Sequence, residues 1–186
     1  MNRMKTCSLV LALVFLVSFV AGCGSGAPGA PAAKVLKVTA GPEPDTLDPR
    51  KSMEIPIIKQ MYEGLCSIGN QGEIVPGVAE KWEVSPDGLK YRFILRANAK
   101  WSNGEAVTAH DFEYAWKSTL SPELACHYAA QLFPIKGGEA YNKKNGAADA
   151  VGVKALDDCT LEVTLENPTP YFLLLTTFPT YFPVNK

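Results

Sequence analysis

The chain is poor in the residues and spacings that build catalytic centres. His110 and His127, the only 2 histidines among 186 residues, lie far apart in sequence, and neither falls in a metal-ligand or nucleophile motif. There is no Gly-rich phosphate loop, no His-Glu-x-x-His and no G-x-S-x-G turn, so no enzyme class is indicated and no cofactor or metal is expected. Charge of one sign is missing too. Lys+Arg 18 against Asp+Glu 19 gives a formal net charge of -1, which excludes the basic surface a nucleic-acid partner demands. With 47% hydrophobic and 10% aromatic residues, the composition is that of a globular chain and not of a disordered tail.

Cysteine is also sparse, and no CxxC pair is present among Cys7, Cys23, Cys66, Cys126 and Cys159. That excludes a disulfide framework or a zinc knuckle. Cys66 reads as a small buried hydrophobe, while Cys159 in Asp157-Asp158-Cys159-Thr160 sits in a turn where Asp is favoured for local hydrogen bonding.

What is present begins with an export signal. Arg3 and Lys5 precede an apolar run from Leu9 to Val20, shorter than the roughly 20 residues of a spanning helix and followed by the small residues Ala21 and Gly22. Val20-Ala21-Gly22-Cys23 resembles the lipobox of bacterial lipoproteins. The resemblance implies cleavage after residue 22, acylation of Cys23 and an extracytoplasmic protein anchored to the cell membrane by lipid. Removing residues 1–22 takes away Arg3 and Lys5 and leaves 16 basic against 19 acidic side chains, a net of about −3. Residues 23–33 are largely Gly, Ser, Ala and Pro and are expected to form a flexible tether.

Beyond the tether the pattern is α+β. Val35 to Thr39 is rich in strand formers and is stopped by Gly41-Pro42-Glu43-Pro44, after which Thr46-Leu47-Asp48-Pro49 continues irregularly. Ile57, Ile58, Met61, Tyr62 and Leu65 recur at helical spacing, predicting an amphipathic helix that begins near Pro56. Trp82 to Val84 and Tyr91 to Leu95 flank Ser85-Pro86-Asp87-Gly88 and predict a hairpin with Tyr91, Phe93 and Leu95 on one face. Thr108 and Asp111 mark the start of a second helix, with Phe112, Ala115, Trp116 and Leu120 as its buried stripe. Thr160 to Leu165 alternates as a strand with one wet face. His127 and the Lys143-Lys144 pair read as exposed, and Trp82, Trp101 and Trp116 as packing residues.

Five blocks then occur in a telling order: Gly-Pro-Glu-Pro-Asp-Thr-Leu-Asp-Pro (41–49), Tyr-Glu-Gly-Leu (62–65), Pro-Gly-Val-Ala-Glu-Lys-Trp (76–82), Lys-Tyr-Arg-Phe-Ile-Leu-Arg (90–96) and Lys-Trp-Ser-Asn-Gly-Glu-Ala-Val-Thr-Ala-His-Asp-Phe (100–112). They resemble the amino-terminal part of the oligopeptide- and dipeptide-binding family of extracellular solute-binding proteins. Residues 156–165, 170–172 and 182–186 are similar to the oligopeptide branch. The resemblance implies an incomplete periplasmic-binding-protein-like fold. Residues 34–65 would open the first ligand-binding lobe, 66–186 would form its small extra subdomain, and the second lobe would lie outside the chain. On this reading the chain is an amino-terminal piece of a protein that is a monomer when complete.

The same resemblance implies function. The family captures peptides through their backbone, as an added strand, and delivers them to an ABC permease. The peptide-pairing segment would lie in residues 51–55, with Ser52, Met53 and Glu54 as its contacts; Glu54 serves either a ligand cation or amide or simply the dipole of the helix it precedes. Tyr128 is placed where the family contributes a tyrosine to the cleft, although its spacing from Leu132 equally suits a core position. The alternatives are a binder of dipeptides, nickel or another small solute, and a surface lipoprotein without transport. The apolar end, Tyr171 to Leu175 and Phe178 to Phe182, is expected to be exposed, and with an open strand edge to promote aggregation.

Overall fold

A computed structural model describes residues 37, 41 and 43–185. The signal segment, Cys23, the tether and, Lys37 apart, the Val35 to Thr39 strand lie outside the described residues. Residues 40–186 form one compact unit. Among the described residues no helix is long and apolar enough to cross a membrane.

Helix α1 (Ile55–Met61) carries proline in its first turn, where a missing N–H costs nothing. A small antiparallel pair follows, β1 (Cys66–Ile68) with β2 (Ile74–Pro76). The main sheet is antiparallel in the order β3-β4-β6-β5, from β3 (Ala79–Val84), β4 (Lys90–Leu95), β5 (Val153–Asp157) and β6 (Thr160–Thr164). Helix α2 (Ala109–Leu120) lies across β5 and β6. Two short helices, α3 (Gly138–Asn142) and α4 (Phe172–Leu175), complete the unit.

The predicted hairpin is β3 and β4, its turn held by Gly88 N–H donating to the Ser85 carbonyl at 2.8 Å. Alternation puts Tyr91, Phe93 and Leu95 inside, where they meet Leu161 and Val163 of β6 and the α2 stripe of Phe112, Ala115, Trp116 and Leu120. On the wet face, Glu83, Arg92, Glu162 and Lys154 stand in register across all four strands, an alternation of charge that suits cross-strand neighbours. Asp111 closes the start of α2 by accepting from the Thr108 N–H at 2.8 Å and from its hydroxyl, so the threonine oxygen points to the carboxylate.

Two expectations need correction. The first helix stops at Met61, because Tyr62 is extended (φ -125, ψ 156); Met61 is exposed, and Leu65 reaches the core from extended chain. The apolar end is largely buried. Phe172, Tyr181, Phe182 and Val184 enter the core, whereas Tyr171 and Leu174 remain exposed. Aromatic rings explain the difference: Tyr181 meets Trp116 edge-on at 4.9 Å, and Phe172 lies 4.8 Å from Tyr91.

Strand β5 is an edge, yet its Ala155 N–H donates to Glu113 Oε2 of α2 at 2.8 Å, and Glu113 also accepts from Lys117 Nζ at 2.7 Å. Burial pushes the Glu113 carboxyl up, but the Lys117 ammonium and the Ala155 N–H outweigh it and hold it below the ordinary glutamate value. A depressed folded-state pKa contributes stability that is present above the unfolded value and lost as pH falls through the folded one. Glu113→Gln is therefore expected to cost about 1 kcal/mol near neutral pH, with the difference closing on acidification below the ordinary glutamate value of about 4.3. Urea unfolding of both proteins across that range checks it; a difference independent of pH would contradict the charge argument.

Candidate functional site

The site is built on the turn that leads into α1. Asp48 is its centre: its carbonyl accepts from the N–H groups of Lys51 (3.0 Å) and Ser52 (2.9 Å), and its carboxylate accepts from the Arg50 N–H at 2.9 Å. The Arg50 guanidinium folds back on the same carboxylate, with Nε 2.9 Å from Oδ1 and Nη2 2.7 Å from Oδ2. Its remaining nitrogen, Nη1, donates to Ser118 Oγ of α2 at 2.9 Å, and Tyr114 of α2 adds a further contact. Burial pushes the Asp48 carboxyl up, but Arg50 and nearby Lys51 prevail and leave it below its ordinary value. The Asp48 carboxylate in turn raises Arg50.

From this anchored turn the candidate residues emerge differently. Ser52 is buried, and its Oγ accepts from the Glu54 N–H at 3.1 Å. Met53 is 54% exposed. Glu54 precedes α1 without a side-chain cap bond, while its carbonyl accepts from Ile57 and Ile58. Among the described residues, the Met53 N–H and the Ser52 carbonyl have no hydrogen-bond partner. Of the three only Met53 is exposed, and an exposed main-chain N–H without a partner is the kind of group strand addition uses.

Tyr128 lies just before a 3-10 turn (Ala129–Leu132), half-buried, with its ring edge-on to Phe178 at 5.2 Å. Ala125, at φ 53, turns the chain so that Cys126 points inward. Burial pushes the Cys126 thiol up; the Tyr128 N–H that it accepts opposes this, and the Asp48 carboxylate adds to it. Asp48 and Arg50 act electrostatically on Cys126, but no hydrogen bond or ring contact joins Ser52, Met53 or Glu54 to Tyr128 among the described residues.

A groove of about 1060 Å³ opens beside the turn, walled by Asp48, Arg50, Tyr62, Glu63, Arg96 and Trp101. Arg96 bridges it, pairing with Glu63 and donating to the Gly77 carbonyl at 3.1 Å. None of Ser52, Met53, Glu54 or Tyr128 lines this groove. Arg50 and Ser118 escaped the reading of the sequence, although Asp48-Pro49-Arg50 carries a usable signal: an Asp accepting from the N–H two residues on is a common turn.

The mixed sheet and helix unit matches part of the substrate-binding domain of a known transport protein. Residues 73–186 match the profile of bacterial extracellular solute-binding proteins, family 5 Middle, and the chain belongs to that family. It is 45% identical over 187 residues to the oligopeptide-binding protein OppA of Bacillus subtilis, covering 97% of this chain and 34% of that protein. It is 47% identical over 156 residues to the dipeptide-binding protein DppE of the same organism, covering 82% and 29%. The substrate-binding domain of an oligopeptide ABC transporter from Bacillus anthracis superposes with a TM-score of 0.74 at 47% identity, over 75% of this chain and 28% of that one. The chain spans about a third of the length of the curated relatives it matches.

Proposed function

We propose that this chain belongs to the ligand-capturing lipoprotein of a peptide ABC importer, anchored through lipid on Cys23 outside the cytoplasmic membrane and delivering oligopeptides to a permease. The observation that carries this reading is 45% identity to an oligopeptide-binding protein over nearly the whole chain. Residues 34–65 would then open the first lobe and 66–186 would supply its extra subdomain. Ser52, Met53 and Glu54 offer main chain for the peptide to pair with, and Tyr128 offers an apolar ring with one hydroxyl. Recognition through backbone groups explains how one protein accepts many sequences, and it requires no chemistry of bond breaking. The open Met53 N–H supports the pairing role.

Calorimetric titration of the complete product of this reading frame tests the proposal. Pools of random tripeptides to pentapeptides are expected to bind, whereas nickel and free amino acids are not. Binding of dipeptides alone would narrow the ligand class; binding of nickel, or of no peptide at all, would overturn the reading.

A further inference from the structure

We propose that Arg50 is a positioning residue for peptide capture, holding the Ser52 to Glu54 main chain on α2 at the place where the ligand pairs with it. The inference rests on the peptide-capture reading above and adds to it a residue that does not itself touch the ligand.

The argument follows the bonds outward from α2. Ser118 Oγ and Tyr114 fix the guanidinium on the helix. Two guanidinium nitrogens then grip the Asp48 carboxylate, a planar fork on a planar acceptor. Asp48 in turn orders the next residues through its carbonyl, which takes the Lys51 and Ser52 N–H groups. Buried Ser52 passes the constraint on, since its Oγ takes the Glu54 N–H. Beyond it, exposed Met53 keeps a main-chain N–H that has no partner among the described residues. A pairing edge that projects from a rigid turn has little ordering entropy left to lose when a ligand strand docks.

Lysine cannot reproduce this geometry, because one ammonium cannot grip both carboxylate oxygens and reach Ser118 from the same position. In the complete protein, Arg50→Lys is expected to weaken binding of a random tetrapeptide pool at least about tenfold, as happens when the support of a binding group is loosened. Amide exchange at Lys51 and Ser52 should accelerate in parallel. Arg92→Lys, which alters an ion pair with Glu162 on the wet face of the sheet, should change neither. Peptide binding by the unsubstituted protein with unchanged affinity in Arg50→Lys would overturn this inference alone. Equal losses in Arg50→Lys and Arg92→Lys would overturn it too, because they would report general destabilisation. Failure of the unsubstituted protein to bind any peptide would overturn the functional reading, and this inference with it.

Discussion

Trp116→Ala is expected to be the most damaging single truncation in the unit, lowering unfolding stability by about 3–5 kcal/mol. The indole is fully buried on α2, and its Nε1–H donates to the Tyr181 carbonyl at 2.8 Å. Tyr181 stacks edge-on against it, is itself buried, and donates its hydroxyl to the Gln131 carbonyl at 2.6 Å. Burial pushes the Tyr181 phenol well above its ordinary value, so the hydroxyl remains a donor throughout the physiological range. Removing the indole thus opens a cavity, strands a carbonyl and frees the segment after α4 together. Since a domain is stable by about 5–15 kcal/mol, the loss is a large fraction of the whole. Urea unfolding monitored by circular dichroism measures it. Trp116→Phe should lie between, keeping most of the volume but not the N–H. A loss below about 1 kcal/mol for the alanine variant would contradict the claim that this contact closes the core.

That contact shows where reading the sequence reaches its limit. Trp116 was legible as a buried position from the period of α2, and so were the β3–β4 hairpin and the wet and dry faces of β6, because each is written within one short stretch of sequence. The partner Tyr181, 65 residues away, was not: an aromatic run at the end of a sequence looks the same whether it is exposed or folded back. Leu65 shows the opposite error. It fitted a helical period, but the chain leaves the helix at Met61 and brings Leu65 inward from extended backbone. At the candidate site the main-chain segment is proposed from family resemblance alone, while the bonds that hold it were hidden because Arg50 and Ser118 stand 68 residues apart. Local patterns name elements; cross-chain hydrogen bonds decide how they are held.

Gly77→Ala is expected to destabilise the unit by about 2–3 kcal/mol, through overpacking alone. A methyl group at Gly77 would stand 2.6 Å from the Gly64 carbonyl oxygen and 3.0 Å from that of Leu65, where only backbone is present to give way. Those carbonyls accept the Val78 N–H at 2.9 Å and the Ala79 N–H at 3.0 Å, so relief of the clash breaks bonds that tie the segment after α1 to β3. Gly64 is confined on its other side as well, since a Cβ there would meet the Thr176 carbonyl at 2.5 Å and the Phe182 ring at 2.8 Å. The crossing cannot slide away from the added atom. Gly72 provides the contrast: it has φ +86 and nothing within 4 Å, so alanine there meets only the backbone cost of a left-handed conformation, about 1 kcal/mol. Asparagine at Gly72 should recover part of that cost, while asparagine at Gly77 should be worse than alanine. Thermal and urea unfolding of the four variants separates the two mechanisms. Gly77→Ala no more harmful than Gly72→Ala would show that the crossing at Gly64 is looser than its distances imply. Because Tyr62, Glu63 and Val78 wall the groove beside the Asp48–Arg50 turn, a shift at this crossing also reshapes that wall.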